Sequence, residues 1–226
     1  MNVAPRFDLH VHSRFSPDSN AEIPQFVEQL SLTGLRGFAL TDHNSIEGHA
    51  LLREMQARYP RHILIPGVEV STREGHLLVY GAEGLPPAHR PLAETLRWVE
   101  AHRGVAALAH PFRRFHGVGR QLAETNSGVA IEAVNGHSSA VANAKAEWVA
   151  VRRRAVEVGG SDAHAPAELG RAYTECPDDV HTFDDVLAAI REGRCRAGGR
   201  SLAGGERWRV ALSTLARRAG RGFRPI

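Results

Sequence analysis

The chain has 226 residues, 42% of them hydrophobic and 23% charged, an ordinary globular composition with enough length for one sizeable core. No run approaches the roughly 20 apolar residues that cross a bilayer, and no basic, apolar leader precedes the first strand-like segment, so a cytoplasmic protein without membrane association is expected. The formal charge of +3 is almost all arginine, and Arg207, Arg209, Arg217, Arg218, Arg221 and Arg224 crowd the C-terminus as a basic, solvated tail from about residue 206.

Strand-like and helix-like segments alternate along the chain. Phe7 to His12 reads as a strand, with Phe7, Leu9 and Val11 on one face and Asp8, His10 and His12 on the other. Pro24 to Leu32 reads as a helix ended by Gly34, Gly37 to Thr41 as an apolar strand, and Ile46 to Tyr59 as a second helix. Ile63 to Val70 and His76 to Tyr80 read as strands paired across a turn at Arg73-Glu74-Gly75. Leu92 to His102 is amphipathic, with Gly104 closing the helix. Val105 to Ala109 and Val129 to Val134 are further strands, and Ala140 to Val156 is mostly helical. Glu157 to Gly159 leads into Gly160-Ser161-Asp162. Thr182 caps a helix to Glu192 in a capping box with Asp185, and a closing helix is expected over Glu206 to Arg218. Such alternation implies a parallel sheet, open or closed into a barrel, in one domain over residues 1–226.

The chain carries thirteen histidines, and the unusual polar residues fall in phase with the strands. His10 and His12 end the first strand, Asp42 and His43 the second, and His110 the Val105 strand; Glu69 lies near the end of the third, and Asp162 and His164 follow Gly160. In a parallel barrel the C-terminal strand ends converge on one mouth, where chemistry is found. The HxH pair points both imidazoles the same way, and Asp18 sits on a turn able to fold back over it. Glu69 is a carboxylate inside an apolar strand, expensive unless paired or bound to metal, and His76 can face it across the hairpin. Asp42 suits either orienting a ligand imidazole or capping the next helix. Pro111 holds the loop after His110 away from helix. Neither Cys176 nor Cys195 belongs to a CxxC pair or a metal-spaced cluster, so both read as reduced and structural.

The stretches DLHVHS with the following Asp18, LTDHNS, GVEVS, GHLLVYG, AHP and GSDAH, in that order from Asp8 to His164, resemble the PHP family, the polymerase and histidinol phosphatase domains. The compact length and the EAVNG stretch over Glu132 to Gly136 are most similar to the short bacterial phosphoesterases of that family. The resemblance implies an α/β fold, a distorted barrel of seven β/α units with a metal site at its C-terminal mouth. It implies two or three divalent cations, Mn, Fe or Zn: the first on His10, His12, Glu69 and Asp162, the second on Glu69, His76 and His110, the third on Asp18, His43 and His164. Family members vary at the position of Asp18. The remaining histidines, His49, His62, His89, His102, His116, His137 and His181, fit no motif and read as surface residues, with the loops of His116 and His137 nearest the mouth.

Such a ligand set suits Mn, Fe or Zn better than magnesium. Paired cations acidify a bridging water and clamp phosphate oxygens, so the expected activity is hydrolysis of a phosphate ester by a metal-bridging hydroxide, with Glu69, Asp162 and His164 as the catalytic set. No GxSxG elbow or Walker A loop points to another chemistry. The expected substrate is a nucleotide or another small phosphorylated metabolite. A short RNA or DNA degraded from one end is the alternative, and a non-catalytic metal-binding regulatory domain a third reading. Arg113, on the loop after His110, is the candidate for the substrate phosphate, and Arg171 its alternative.

Overall fold

The computed structural model describes residues 4–202 and positions 206, 212, 213, 215, 216, 219 and 220. The six arginines of the expected basic tail, and most of the helix expected over Glu206 to Arg218, lie outside the described residues.

Strand β1 (Arg6–Val11) runs parallel to β2 (Gly37–Leu40), and β2 runs parallel to β3 (Ile63–Ser71). The chain then turns tightly into β4 (His76–Tyr80), antiparallel to β3 as the Arg73-Glu74-Gly75 turn predicts. Strand β5 (Val105–Leu108) is antiparallel to β4, and β6 (Ala130–Asn135) and β7 (Glu157–Gly160) continue in parallel. The hairpin is what distorts the barrel: one of the seven strands runs against the rest. Strand β8 (Ala172–Glu175) lies antiparallel to β1, and β9 (Arg196–Gly199), reached through a helix, lies antiparallel to β8. The sheet order is therefore β7-β6-β5-β4-β3-β2-β1-β8-β9. At the mouth β1 meets the segment after β7, where His12 N donates to Ala163 O at 2.8 Å and Ala163 N to His10 O at 3.2 Å. Lower down, Gly159 N donates to Thr174 Oγ1 at 2.8 Å, so β8 fills the rest of the seam.

Among residues 4–202 six α-helices cover the outside: α1 (Ile23–Thr33), α2 (His49–Arg58), α3 (Leu92–Ala101), α4 (Gly119–Thr125), α5 (Ala140–Arg153) and α6 (Phe183–Arg191). Gly34 at φ 70° ends α1, and the Thr182–Asp185 capping box opens α6, as the sequence predicts. Helix α2 starts three residues later than expected. Asn44 (φ 50°) spends its side chain on Ser71 instead, accepting from Ser71 N at 2.9 Å and donating to Ser71 Oγ at 3.0 Å. Helix α5 stops early because Arg154 takes a left-handed conformation (φ 53°). The short α4 and the strands β8 and β9 carry no clear periodic signal and were not anticipated. Among the described residues no helix is long and apolar enough to cross a membrane.

Period-two alternation fills the barrel in layers. Along β3, Ile63 and Ile65 join the interior cluster with Phe7, Leu9, Leu78, Tyr80 and Ala107, while Leu64 packs outward under α1 and α2. Two steps further along the same row comes Glu69. The lower barrel is thus apolar, sealed from below by Val186, Leu187 and Ile190 of α6, and the upper barrel carries imidazoles and carboxylates. Strand β1 departs from the alternation the sequence suggests. Phe7 and Leu9 face the interior, but Val11 packs in the outer cluster. A register irregularity between Asp8 and Val11 changes the phase, which lets Leu9 serve the apolar floor while His10 and His12 face the site above it.

The seam depends on Gly160. A methyl group there would lie 2.4 Å from His10 Cβ and 2.7 Å from His10 N, neither of which is a flexible side-chain end. Gly160→Ala is expected to cost about 1–3 kcal/mol as overpacking, lowering the thermal midpoint by about 2–12 °C in a chain of this size. A thermal unfolding midpoint equal to that of wild type would refute so close an approach.

Candidate metal centre

Each strand of the upper barrel delivers one or two polar side chains to the same volume. Glu69, 1% exposed, lies at its centre. Its Oε2 is 3.0 Å from His10 Nε2, 3.2 Å from His12 Nε2 and 3.2 Å from His43 Nδ1. Its Oε1 is 2.7 Å from His76 Nδ1 and 3.0 Å from His110 Nε2. Five imidazoles from four strand ends thus divide between the two oxygens of one carboxylate. Asp162 Oδ1 lies 3.3 Å from His12 Nε2 and 3.7 Å from His10 Nε2. Asp18 folds back from its turn as the spacing suggests, its Oδ2 3.0 Å from His164 Nε2 and 3.4 Å from His43 Nε2. All nine predicted ligands are therefore in one buried cluster.

The cluster contains overlapping groups of donor atoms spaced as cation ligands: His10, His12 and Glu69; His10, His110 and Asp162; His43, Glu69 and His76; and His12, Asp18, His43 and His164. His43 stands between the second and third of the expected metal positions, one nitrogen toward Glu69 and the other toward Asp18. The donor set fits metal. His12 Nε2, His43 Nδ1 and His164 Nε2 are buried, and among the described residues the carboxylate oxygens 3.0 to 3.3 Å away make no well-directed hydrogen bond to these nitrogens, an arrangement costly for polar atoms and natural for ligand atoms.

Two ligands sit on strained backbone. His110 has φ 27° and Asp162 φ 58°, conformations uncommon for side chains with a Cβ. A buried layer behind the ligands holds them there. Glu132 accepts from His110 N at 2.6 Å, and its Oε1 lies 2.8 Å from His10 Nδ1. A carboxylate accepts only, so neutral His10 carries its proton on Nδ1 and turns Nε2 to the centre. Asp8 accepts from Ser161 N, Ser161 Oγ, Gly170 N and His10 N, tying the β7 loop to β1. Asp42 neither touches a ligand ring nor caps α2: it accepts from Ser13 N at 2.6 Å and Ser13 Oγ at 2.7 Å, fixing the loop after His12. Sequence reasoning assigned no role to Glu132 or Asn135. The signal for Glu132 was the same as for Glu69, a carboxylate within an apolar strand.

Arg113 reaches the site. Its Nη2 donates to Asp162 Oδ2 at 2.6 Å and to Asn135 Oδ1 at 2.9 Å. Its Nε and Nη1 make no hydrogen bond among the described residues, and the side chain is 27% exposed. Arg171 makes no hydrogen bond or ion pair with the nine ligands among the described residues, and its Nη1 is buried without a partner. Two histidines read as surface residues belong to the rim. His116 stacks on His76 at 4.5 Å. His137, half-buried, stacks on His164, rings 5.4 Å apart, with Nε2 3.4 Å from Glu168 Oε2. His49 is half-buried as well, its Nε2 2.8 Å from Gly67 O. Tertiary packing, of two loops for His116 and His137 and of the start of α2 against β3 for His49, accounts for all three and is invisible to periodicity.

Electrostatics follow from burial and proximity. Burial opposes ionisation of Glu69 and Asp162, but the surrounding His43, His10 and His76 hold Glu69 well below the usual carboxylate range, and Arg113 and His10 do the same for Asp162. Burial pulls His12 down, yet Asp162 and Glu69 outweigh it and raise His12 to about 10. His10 is likewise raised, by Glu132, Asp162 and Glu69 against burial. Burial and Arg113 push His110 down to about 4.

The family profile for the PHP domain matches residues 8–115, and the PHP-associated profile matches residues 141–195. An uncharacterized protein of Methanocaldococcus jannaschii is 28% identical over 116 residues, covering 46% of this chain and 67% of that protein. A Thermotoga maritima protein named "Probable histidinol-phosphatase" is 38% identical over 47 residues, 21% of this chain and 20% of that protein. Among solved structures, a two-domain protein of Bacteroides vulgatus, described as containing a predicted PHP-like metal-dependent phosphoesterase, superposes with a TM-score of 0.74 at 18% identity, over 94% of this chain and 70% of its own. Fold and site define a metal-binding α/β barrel. The chain belongs to the PHP domain family.

Two outcomes test the geometry. Glu69→Gln should lower bound metal by more than one equivalent, whereas Glu132→Gln should leave stoichiometry intact and weaken affinity about 10–100-fold; elemental analysis and chelator competition read the two apart. Because His10 and His12 hold protons near neutral pH without a cation, metal uptake must release protons and affinity must rise with pH. Titration calorimetry in buffers of differing ionisation enthalpy measures that release, and binding without it contradicts the charge assignment.

Proposed function

We propose that this PHP-family phosphoesterase hydrolyses a phosphate ester of a nucleotide or another small phosphorylated metabolite, with His10, His12, Asp18, His43, Glu69, His76, His110, Asp162 and His164 as metal ligands. The observation that carries this reading is the division of five imidazoles between the two oxygens of Glu69, which suits a carboxylate shared by two cations. Bound Mn, Fe or Zn would supply charge to neutralise phosphate oxygens and acidify water.

The protein's own residues do the rest. Glu132 and Asp8 hold the ligand loops, so their arrangement precedes substrate. Arg113 spends one nitrogen on Asp162 and Asn135 and has its Nε and Nη1 left to grip two oxygens of a phosphate, orienting the ester over Asp162. The alternative of a regulatory domain without activity is disfavoured by a ligand set with no missing member.

Arg113→Ala should reduce kcat/KM on a phosphomonoester by roughly 10–100-fold or more, from about 1.5–3 kcal/mol for a charged hydrogen bond, with Arg113→Lys recovering only part for want of the planar fork. Since Arg113 also touches Asp162, metal content is measured in both variants. Full metal content with lost kcat/KM supports a phosphate clamp; lost metal content makes Arg113 a support for Asp162; wild-type kinetics remove it from the site. In the same assay His10→Ala or Asp162→Ala should lose activity by orders of magnitude while remaining folded, and wild-type turnover after metal reloading would refute the centre.

A further inference from the structure

The chain has two cysteines, and the fold sets them against each other at the bottom of the barrel, the end of β1 opposite to His10 and His12. In the ladder between β8 and β9, Ala172 pairs with Gly199 and Glu175 with Arg196, so one step further Cys176 opposes Cys195. Their Sγ atoms are 3.5 Å apart, and both are free thiols. They are 3% and 5% exposed and belong to the apolar cluster that α6 closes. Cys176 N donates to Pro5 O at 2.9 Å, which fixes the end of β8 beside the start of β1. Directly opposed residues on antiparallel strands hold their Cβ atoms about 4.5–5.5 Å apart, just above the roughly 3.5–4.5 Å that a disulfide spans. Rotation of two side chains and a small approach of the strand ends therefore suffice to join the sulfurs.

The two thiols are not equivalent. A cavity of about 230 Å³ opens on Cys195, lined also by Arg154, Val156, Glu157, Gly193 and Arg196, whereas Cys176 is not part of its wall. Cys176, donating its S–H to the facing sulfur, holds Cys195 below the ordinary thiol range against the effect of burial, and Arg194 adds to this. The same contact and burial push Cys176 up. Thiolate character and access thus fall on the same sulfur, the combination that makes a cysteine reactive. A metal does not explain the pair: among the described residues no third donor joins the two sulfurs in a ligand group, and a structural zinc takes four. Packing needs only small apolar side chains at these positions and leaves the contact between the two sulfurs unexplained.

We propose that Cys195 and Cys176 form an oxidation site, at which hydrogen peroxide converts the two thiols to a disulfide that fastens the base of the barrel. The Cys195 sulfur attacks one peroxide oxygen, the O–O bond breaks, and the departing oxygen takes the thiol proton and leaves as water. The resulting sulfenic acid is attacked by the Cys176 sulfur. Its S–O bond breaks, that oxygen takes the Cys176 proton, and a second water leaves. The pair of thiols gives up two electrons and the peroxide accepts them. The bond closes the loop over residues 176–195, which contains α6. Val186, Leu187 and Ile190 of that helix seal the apolar floor beneath Glu69, so the disulfide ties together the two chain ends that hold the seal in place.

The test treats wild type, Cys176→Ser and Cys195→Ser with hydrogen peroxide, each loaded with zinc because that ion has no redox chemistry of its own. Wild type should lose both thiols together, read by maleimide labelling after denaturation, with an intact mass lower by two hydrogen atoms and full reversal by dithiothreitol. Its oxidised form should unfold about 4–16 °C above the reduced form, as for a disulfide of ordinary strength in a chain of this size. In Cys176→Ser the reaction should stop at the sulfenic acid of Cys195, captured as a dimedone adduct, and in Cys195→Ser the thiol of Cys176 should persist. Retention of both thiols in wild type, at a peroxide dose that oxidises glutathione completely, overturns the site, as does a disulfide that links two chains on non-reducing electrophoresis. A dimedone adduct on Cys176 in Cys195→Ser, with none on Cys195 in Cys176→Ser, overturns the assignment of Cys195 as the attacking sulfur. Equal thermal midpoints of the oxidised and reduced forms overturn the fastening of the base. The wild-type readouts decide the site even where a serine variant does not fold, and none of them depends on turnover at the metal centre.

Discussion

A single ionised carboxylate, Glu69, buried among five imidazoles, is the constraint to which the rest of this protein is adapted. Moving a carboxylate out of water costs several kcal/mol unless charge and hydrogen bonds compensate. Here compensation comes from His10, His12, His43, His76 and His110, contributed by β1, the ends of β2 and β5, and β4. No single element supplies enough of them. The carboxylate is tolerable only when the barrel has closed, so the site and the fold depend on the same contacts.

The layering of the barrel serves that end. Ile63, Ile65 and Glu69 share one face of β3, and the apolar cluster beneath Glu69 is buried and closed by α6. Within that environment charges interact strongly, which is why Glu69 and Asp162 stay ionised despite burial, while His12 is held at about 10 and His110 at about 4 although both rings touch the same carboxylate. The difference lies in the next neighbour: Asp162 beside His12, Arg113 beside His110.

Support behind the ligands is as specific as the ligands themselves. Glu132 reads the orientation of His10 and the backbone of His110 together, and Asp8 gathers the loop after β7 with four hydrogen bonds. These contacts hold His110 and Asp162 in left-handed conformations that the isolated segments would leave. The arrangement is consistent with a site organised before substrate arrives.

Much of this was determined by the sequence alone. Period-two strands with polar residues at their ends placed His10, His12, His43, Glu69, His76, His110, Asp162 and His164 on one mouth, because alternation and strand direction are local properties. The capping box at Thr182 and the glycine stop at Gly34 were readable for the same reason. Other features only the tertiary structure decided. The phase change in β1 that turns His10 inward arises where β1 meets β2. His116 and His137 joined the site through loops whose packing has no period, Glu132 of β6 found its partners only when His10 and His110 came to lie beside it, and Asp42 went to Ser13 instead of a ligand. Helix α4 and the four-residue strands β8 and β9 are too short to carry a pattern, and β8 is defined by its pairing with β1 and its contact with Gly159. Local rules set which residues are available at a strand end; long-range contacts set which of them face one another.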